Sequence, residues 1–537
     1  MKFKAPPSEA VLSSVKLNTA ASYLEPIGGA GWYDVKSPTL TVAQLIQMLT
    51  NDDRVLKVEP DYVGNNTAVS APRSAHPMMS GDPSDPDFTQ QWALKNTGQC
   101  YGSTCGIASY DVNAEPAWAI ADADQNRTRQ IVVIYGTGVD YNNPDLAANV
   151  WTAPHSYTIN EFGITYNCPQ GAHGYNAMAG LAGCTGQVYD NEGHGTLVSG
   201  AADAVSNNSV GIAGTADNMT LLPISICTQY CDVDSAIRGL DASIQIAQQF
   251  GLRFAAASMS HADLQGSAFE DEMALVTADT GVVFAASTGD DCSTPGWPVA
   301  YHLSDEIAVA ASDQDDNPSN WGPGQCTDSG GDIAAPGTNV LTTTLGDTTG
   351  NNPALFGGTS ASAPIVAGAV ALLESVCPLS PYALIATVEG TADQKPQLLG
   401  YATDGRRLNM GAALASCTQG TAATDTGSIY SNGRGRRQLY TDFGYISITV
   451  GDYTCGYSHD TTFDTSQSMA EGLVGDCLSS PYITATYTSG GGFTLTTKAI
   501  GPYTNYPAAA QVVDQCTNAC GPAPTINLGT QFTGGAS

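Results

Sequence analysis

At 537 residues, with 42% hydrophobic residues, 58 glycines and 29 prolines, the chain is too long for one ordinary domain and apolar enough to fill several cores. Only 13% of residues are charged, and 51 acidic residues against 19 basic ones leave a net charge of −32. That charge argues against nucleic acid or an anionic membrane surface as partner, and no run reaches the roughly 20 apolar residues of a membrane span.

The opening MKFKAPPSEAV lacks the apolar stretch of a signal peptide. Residues 1–82 read as a small α+β unit and a linker. GWYDVKSP predicts a strand, TVAQLIQMLTNDDRV a helix with Thr41 as N-cap, and VLKVEPDY a second strand. From Gly64 to Asp82 the chain turns to Asn, Ser, Pro and Gly, the composition of a linker.

Residues 83–417 alternate strand-like runs with helical stretches, which predicts an α/β domain: a parallel sheet covered by helices. The strands are QIVVIYG, MTLLPIS, RFAAASMS, GVVFAAS and EIAVAAS; the helices are AIRGLDASIQIAQQFG, EDEMALVTAD and the strongly apolar, hence buried, SAPIVAGAVALLESVC. Residues 418–437 read as a linker ending in Arg434-Gly435-Arg436-Arg437, a quartet that doubles as a candidate processing site. Residues 438–537 read as a β-rich domain, with YISITVGDY, YITATYTSG and GFTLTTKAI around one short helix, SQSMAEGLV.

Fourteen cysteines, an even count with short spacings, point to disulfides and an oxidising compartment. Taken as neighbours, Cys100 pairs with Cys105, Cys168 with Cys184, Cys227 with Cys231 and Cys292 with Cys326. Cys377 then pairs with Cys417, Cys455 with Cys477 and Cys516 with Cys520, although order alone does not fix connectivity. A zinc site is the rival, but no Cys-x-x-Cys pair occurs and none sits with His at ligand spacing. Asn65, Asn126, Asn207 and Asn218 lie in Asn-x-Ser/Thr triplets, which also arise by chance.

GGTSASAPIVAGAVALL, Gly357 to Leu373, places Ser360 at a sharp turn feeding an apolar helix, with helix-end N–H groups beside it to hold negative charge. Read alone, such a triplet is a helix cap. DNEGHGTLVSG, Asp190 to Gly200, places His194 between glycines where a loop meets a helix, suited to take the Ser360 proton and return it to a leaving amine.

These two segments, with IVVIYGTGVDYNNPDLAANVW before them, resemble the subtilisin-like serine proteases (the subtilases, peptidase family S8). DPDFTQQWALKNTG, DVNAEPAW, SVGIAGTADN, DIAAPGTNVLTT and GRRLNMGAALAS extend the likeness across 83–417, and the GTSASAP form is similar to that of the proprotein convertases. The resemblance implies a subtilisin-like fold and a secreted, self-inhibited precursor. Residues 1–82 become an inhibitory propeptide-like unit, and 438–537 an accessory domain similar to a β-rich module of large secreted bacterial proteins. No cofactor is required. Structural calcium is implied without a site, since loops such as DADQN and DQDDN read equally well as surface.

Three departures from the family pattern stand out. Gly136 occupies the place of the triad aspartate, which holds the imidazole's tautomer and stabilises the imidazolium. Asp140 and Asp190 are near enough in sequence to be considered as substitutes, as is water. Gly289-Asp290 replaces the Gly-Asn whose amide serves the oxyanion hole; an ionised carboxylate repels an oxyanion, whereas a protonated one donates to it. With His194 neutral and Asp290 protonated, residual activity is expected to peak at roughly pH 5 to 6. Finally, SMSHADLQG matches the family's substrate-wall strand, with Ser260 and Gly289 lining the substrate site. There Ala262 replaces a glycine, which favours slim P1 side chains, and His261 replaces an apolar residue, as a wall or as a solvated edge.

Two functions stay open. One is a monomeric secreted endopeptidase acting on polypeptides, its own propeptide included, through acyl-Ser360 with His194 as base. The other is a pseudoprotease that binds peptide without turnover. A sedolisin-type Glu base is disfavoured by the intact Gly-His-Gly-Thr turn.

Overall fold

A computed structural model describes residues 1–65 and 82–418, save positions 103, 162, 229, 262, 263, 297, 302, 304 and 323, together with β-strands between 424 and 527. Two compact units divide the chain. The first comprises Met1–Glu115, Arg129–Leu372 and Ala392–Asn409; the second comprises Pro116–Thr128, Leu373–Thr391 and Met410–Ser537.

Within the first unit, the N-terminal segment builds a four-stranded antiparallel sheet in the order Tyr23–Ile27, Trp32–Lys36, Lys2–Phe3, Val55–Lys57. Two helices accompany it, Glu9–Asn18 and Val42–Thr50. Thr41 starts the second with a capping box: its hydroxyl accepts from the Gln44 N–H at 3.3 Å, and the Gln44 side chain accepts from the Thr41 N–H at 2.9 Å. Met1, Phe3, Val15, Leu24, Leu49 and Val55 form a small core of their own.

This sheet rests on the helix Ser267–Thr280. The Glu272 carboxylate accepts from the Gly29 N–H at 3.0 Å and the Ala30 N–H at 3.1 Å, and Asp271 accepts from the Trp32 indole at 2.8 Å and from Lys2 at 2.7 Å. Further along, Val63–Asn65 pairs antiparallel with Tyr230–Asp232 in a two-stranded sheet of its own.

The main sheet has nine strands, in the order Tyr175–Asn176, Thr220–Ser225, Ile131–Gly136, Ala256–Met259, Val283–Ser287, Glu306–Ser312, Ile333–Pro336, Arg406–Arg407, Asp393–Gln394. All neighbouring pairs are parallel except the last. The five strands read from the sequence are all present, and four of them are buried along their whole length, as parallel strands covered on both faces must be. The helices Val233–Phe250, Ser267–Thr280 and Thr359–Val376 form where their apolar patterns predict. Strand Ile131–Gly136 sits between Thr220–Ser225 and Ala256–Met259, so Gly136 stands at the carboxyl end of a central strand, the level at which α/β sheets place their sites.

In the second unit, Cys377 and Cys417 are bridged, and Ser380 caps the helix Pro381–Gly390. Residues 424–430, which composition assigns to a linker, form a strand paired with Gly492–Thr497 and Thr525–Asn527. The expected strands Phe443–Val450, Ile483–Thr488 and Gly492–Thr497 are present. Most of the 64–82 linker, the Arg434–Arg437 quartet and the SQSMAEGLV helix lie outside the described residues.

Five of the seven expected disulfides are formed: Cys100–Cys105, Cys168–Cys184, Cys227–Cys231, Cys292–Cys326 and Cys377–Cys417. The other two expected pairings, Cys455 with Cys477 and Cys516 with Cys520, are not among them. The side chains of Cys455, Cys477, Cys516 and Cys520 fall outside the described residues.

Candidate functional site

His194 is the first residue of the helix His194–Asp203, and Gly193 before it adopts φ +99°. Asp190 organises that turn. One carboxylate oxygen accepts from the Thr137 hydroxyl (2.9 Å) and the N–H groups of Glu192 (3.0 Å) and Gly193 (2.9 Å). The other accepts from the Thr196 N–H (2.9 Å) and hydroxyl (2.7 Å). Thr137 also accepts from the Gly195 N–H at 2.8 Å, which ties the histidine turn to the end of the Gly136 strand. Gly195 has to be glycine, because a Cβ there would meet the Gly138 carbonyl oxygen at 2.0 Å.

Ser360 is the second residue of the helix Thr359–Val376 and is buried with His194. Its hydroxyl donates to the Ser260 carbonyl at 3.2 Å, and the Ser260 hydroxyl donates to the Ser360 carbonyl at 3.1 Å. Neither ring nitrogen of His194 has a hydrogen-bond partner among the described residues. Its ring meets Phe356 edge-on, with centroids 5.8 Å apart, and lies tilted by 40° against His261, with centroids 5.4 Å apart. Burial lowers the His194 pKa to about 4, which keeps the imidazole neutral and able to accept a proton.

The candidate substitutes for the triad carboxylate do not reach this ring. Asp190 is engaged as above. Asp140 accepts from the Asn142 N–H at 3.1 Å and the Gly346 N–H at 2.8 Å. At Gly136, a Cβ would meet only the Gly195 Cα and the His261 Nε2, each at 3.7 Å, which is ordinary contact. The strand end therefore has room for a side chain that the sequence does not supply.

His261 is 1% exposed, so the expectation of a solvated edge residue is corrected. Strand Ala256–Met259 runs parallel to Ile131–Gly136 with Met259 opposite Tyr135, which carries the residues just after Met259 to the Gly136 end. The ring is drawn inward by a 2.9 Å bond between its Nε2 and the Tyr135 carbonyl. Ala262 lies outside the described residues.

Asp290 adjoins the start of the Ser360 helix. One carboxylate oxygen accepts from the Thr359 N–H at 2.8 Å and hydroxyl at 3.0 Å. Gly289 adopts φ +116°, and a Cβ there would fall 2.2 Å from the Asp328 carboxylate. Burial, above all, raises that Asp328 carboxyl to about 7.

Ligand atoms of Cys227, Cys231 and His261 lie within 4.8 Å of one another, the geometry of a metal cluster, but both sulfurs are bonded in the Cys227–Cys231 disulfide. The inward turn of His261 and the Ser260–Ser360 pair were missed by reading the sequence. The signal that locates them is the shared end level of two neighbouring parallel strands.

These features define an α/β protein with a helix-borne serine and histidine buried at the carboxyl edge of its sheet. The sequence profile described as Peptidase_S8, Subtilase family, matches residues 128–423, just over half of the chain. This chain belongs to the subtilase family of serine proteases.

Its relatives are proteases. "Extracellular protease" of Xanthomonas campestris pv. campestris is 26% identical over 401 residues, covering 70% of this chain and 62% of that protein, so the match spans less than two thirds of it. Thermitase of Thermoactinomyces vulgaris is 30% identical over 301 residues, covering 55% and 90% respectively. Alkaline elastase YaB of Bacillus sp. (strain YaB) is 34% identical over 195 residues, covering 36% and 47%. A solved protease of Pseudoalteromonas arctica PAMC 21717 aligns at 22% identity and TM-score 0.44, covering 62% of this chain and 98% of that one.

Proposed function

We propose that this chain is a secreted serine endopeptidase in which Ser360 attacks the scissile carbonyl carbon and His194 takes the hydroxyl proton. His194 then protonates the leaving amine, and water hydrolyses the acyl-Ser360 ester. No cofactor enters this chemistry. The observation that carries the reading is the burial of a neutral His194 and of Ser360 at the starts of two helices on one sheet edge. Five disulfides support secretion, as does the relative named "Extracellular protease".

The N-terminal sheet is proposed as an inhibitory propeptide. It is held by Asp271 and Glu272, and Val63–Asn65 pairs antiparallel with Tyr230–Asp232 as an extended segment. The testing experiment compares the full chain with Ser360→Ala, following self-cleavage between residues 66 and 82 by mass and Ser360 by fluorophosphonate labelling. Processing and labelling in the parent alone are expected; identical behaviour of the two ends the enzyme reading.

The second reading, a pseudoprotease that binds peptide or its own propeptide, is favoured by two specific features. His194 lacks a hydrogen-bond partner among the described residues, and the Ser360 hydroxyl is directed to a main-chain carbonyl. It predicts an unprocessed, unlabelled parent.

A further inference from the structure

A histidine base needs something to fix its ring plane and tautomer, and the strand end at Gly136 supplies no side chain for that purpose. Backbone geometry does not demand glycine there: Gly136 is not among the positive-φ residues, and a Cβ would meet nothing nearer than 3.7 Å. Two residues on, Gly138 has φ +109° and a Cβ would strike the Val188 carbonyl at 2.4 Å. Gly136 thus leaves usable space, and what borders it is the His261 imidazole.

We propose that His261 is the positioning residue for His194, standing in for the carboxylate whose place Gly136 leaves empty. The inference rests on the proposed roles of Ser360 and His194. Three observations carry it. The His261 Nε2 is 3.7 Å from where a residue-136 side chain would begin, and its ring lies 5.4 Å from that of His194. With Phe356 at 5.8 Å, it gives the base two ring walls, so packing holds the plane that a carboxylate would otherwise hold.

The second observation concerns the His261 tautomer. A carbonyl oxygen only accepts, so the 2.9 Å bond to Tyr135 requires the hydrogen on Nε2 and assigns the lone pair of the neutral ring to Nδ1. The third concerns rigidity. His261 follows a buried central strand, and the N–H groups of Ile226 and Cys227 both donate to the Gly136 carbonyl, at 2.8 and 3.2 Å. The Cys227–Cys231 disulfide closes the same corner against the ring.

Burial first, and then the neighbouring His194, lowers the His261 pKa to about 3; His194 is lowered by burial alone. The pair is therefore neutral together. A neutral imidazole orients its neighbour but cannot offset the charge that His194 gains in the transition state. The arrangement preserves geometry at the cost of rate.

The test is a cycle of four full-length chains: parent, His261→Leu, Gly136→Asp and the double variant. Each is read by the rate of fluorophosphonate labelling and by the mobility of the His194 ring in NMR relaxation of its imidazole carbons. His261→Leu is expected to slow labelling about 100-fold in the parent background, but only about threefold once the carboxylate of Gly136→Asp takes over the orientation. It should also turn an ordered His194 ring into a mobile one. Equal losses in both backgrounds, or an unchanged His194 ring mobility, overturn the proposal. If none of the four labels, the protease reading fails and the ring mobility alone decides the positioning role. Should His261→Leu not fold, His261→Asn, which keeps a donor for the Tyr135 carbonyl, replaces it under the same criteria.

Discussion

Ser360 and Ser260 hold each other reciprocally: each hydroxyl donates to the other's main-chain carbonyl, at 3.2 and 3.1 Å. The acceptor of the Ser360 hydroxyl is backbone and survives mutation of Ser260, whereas the bond made by the Ser260 hydroxyl does not. Ser260→Ala is accordingly expected to cost about 1 kcal/mol of stability, read from denaturant midpoints, while labelling at Ser360 stays within about threefold.

A Cβ at position 136 meets only ordinary contacts, and Gly136→Asp brings an anion to the His194–His261 corner. With burial alone acting, His194 ionises at about 4, so the acid limb of the pH–rate curve should lie near that value. A carboxylate stabilises the imidazolium, so Gly136→Asp is expected to raise turnover by about 10³-fold and to move the acid limb of the pH–rate curve upward by one unit or more. A faster variant with an unmoved acid limb would argue against a carboxylate acting on this ring.

Stability should be greatest on the acid side of neutrality. Burial raises the Glu161 and Glu306 carboxyls to about 8, and those of Asp145, Asp203, Asp234 and Glu272 to about 7. A folded-state pKa above the unfolded one gives stability that is complete at low pH and is lost as pH rises through the folded value. His194 and His261 have the opposite sign: their lowered values give stability present above about 6.5 and lost as pH falls toward 4 and 3. The net charge of −32 adds repulsion as pH rises. Between about pH 4 and 6.5 the six raised carboxyls outweigh the two imidazoles, so thermal melts should show Tm highest near about pH 4 to 5 and falling steadily to pH 8; a Tm still climbing above pH 7 would contradict this balance.

Glu272 is the anchor of the N-terminal sheet, since one carboxylate takes both the Gly29 and the Ala30 N–H groups. Glu272→Ala removes both bonds and leaves two donors facing the helix, which should weaken docking by about 2 to 3 kcal/mol. Limited proteolysis of segment 1–65 should then accelerate by more than tenfold, while Lys2→Ala, with its half-exposed ion pair to Asp271, changes it little.

The sheet was legible because IVVIY, TLLPIS, AASM, VFAAS and EIAVAAS are apolar runs bounded by turn residues, a local signal. Thr41 was legible for the same reason, as cap and partner stand three residues apart. The helix Glu9–Asn18 and the strand Tyr23–Ile27 were not, since neither carries a strong apolar period. Nor was Thr424–Tyr430, whose Thr, Gly and Ser content reads as a turn while pairing on both sides makes it a strand.

In the site, Ser360 and His194 announce themselves through glycine-flanked turns. His261 does not, because its surroundings depend on which residue of strand Ile131–Gly136 lies opposite Met259, and no local pattern contains that register. The bonds that engage Asp140 and Asp190 elsewhere were hidden likewise, since they involve residues up to 206 positions away.

The pairing of Val63–Asn65 with Tyr230–Asp232 has a kinetic consequence. While the chain is uncut, Val63–Asn65 is tethered, so its pairing does not depend on protein dilution. A free peptide seeking the same hydrogen bonds competes against a local concentration on the order of millimolar. One cut after Asn65 converts this to an ordinary bimolecular contest, which dilution weakens.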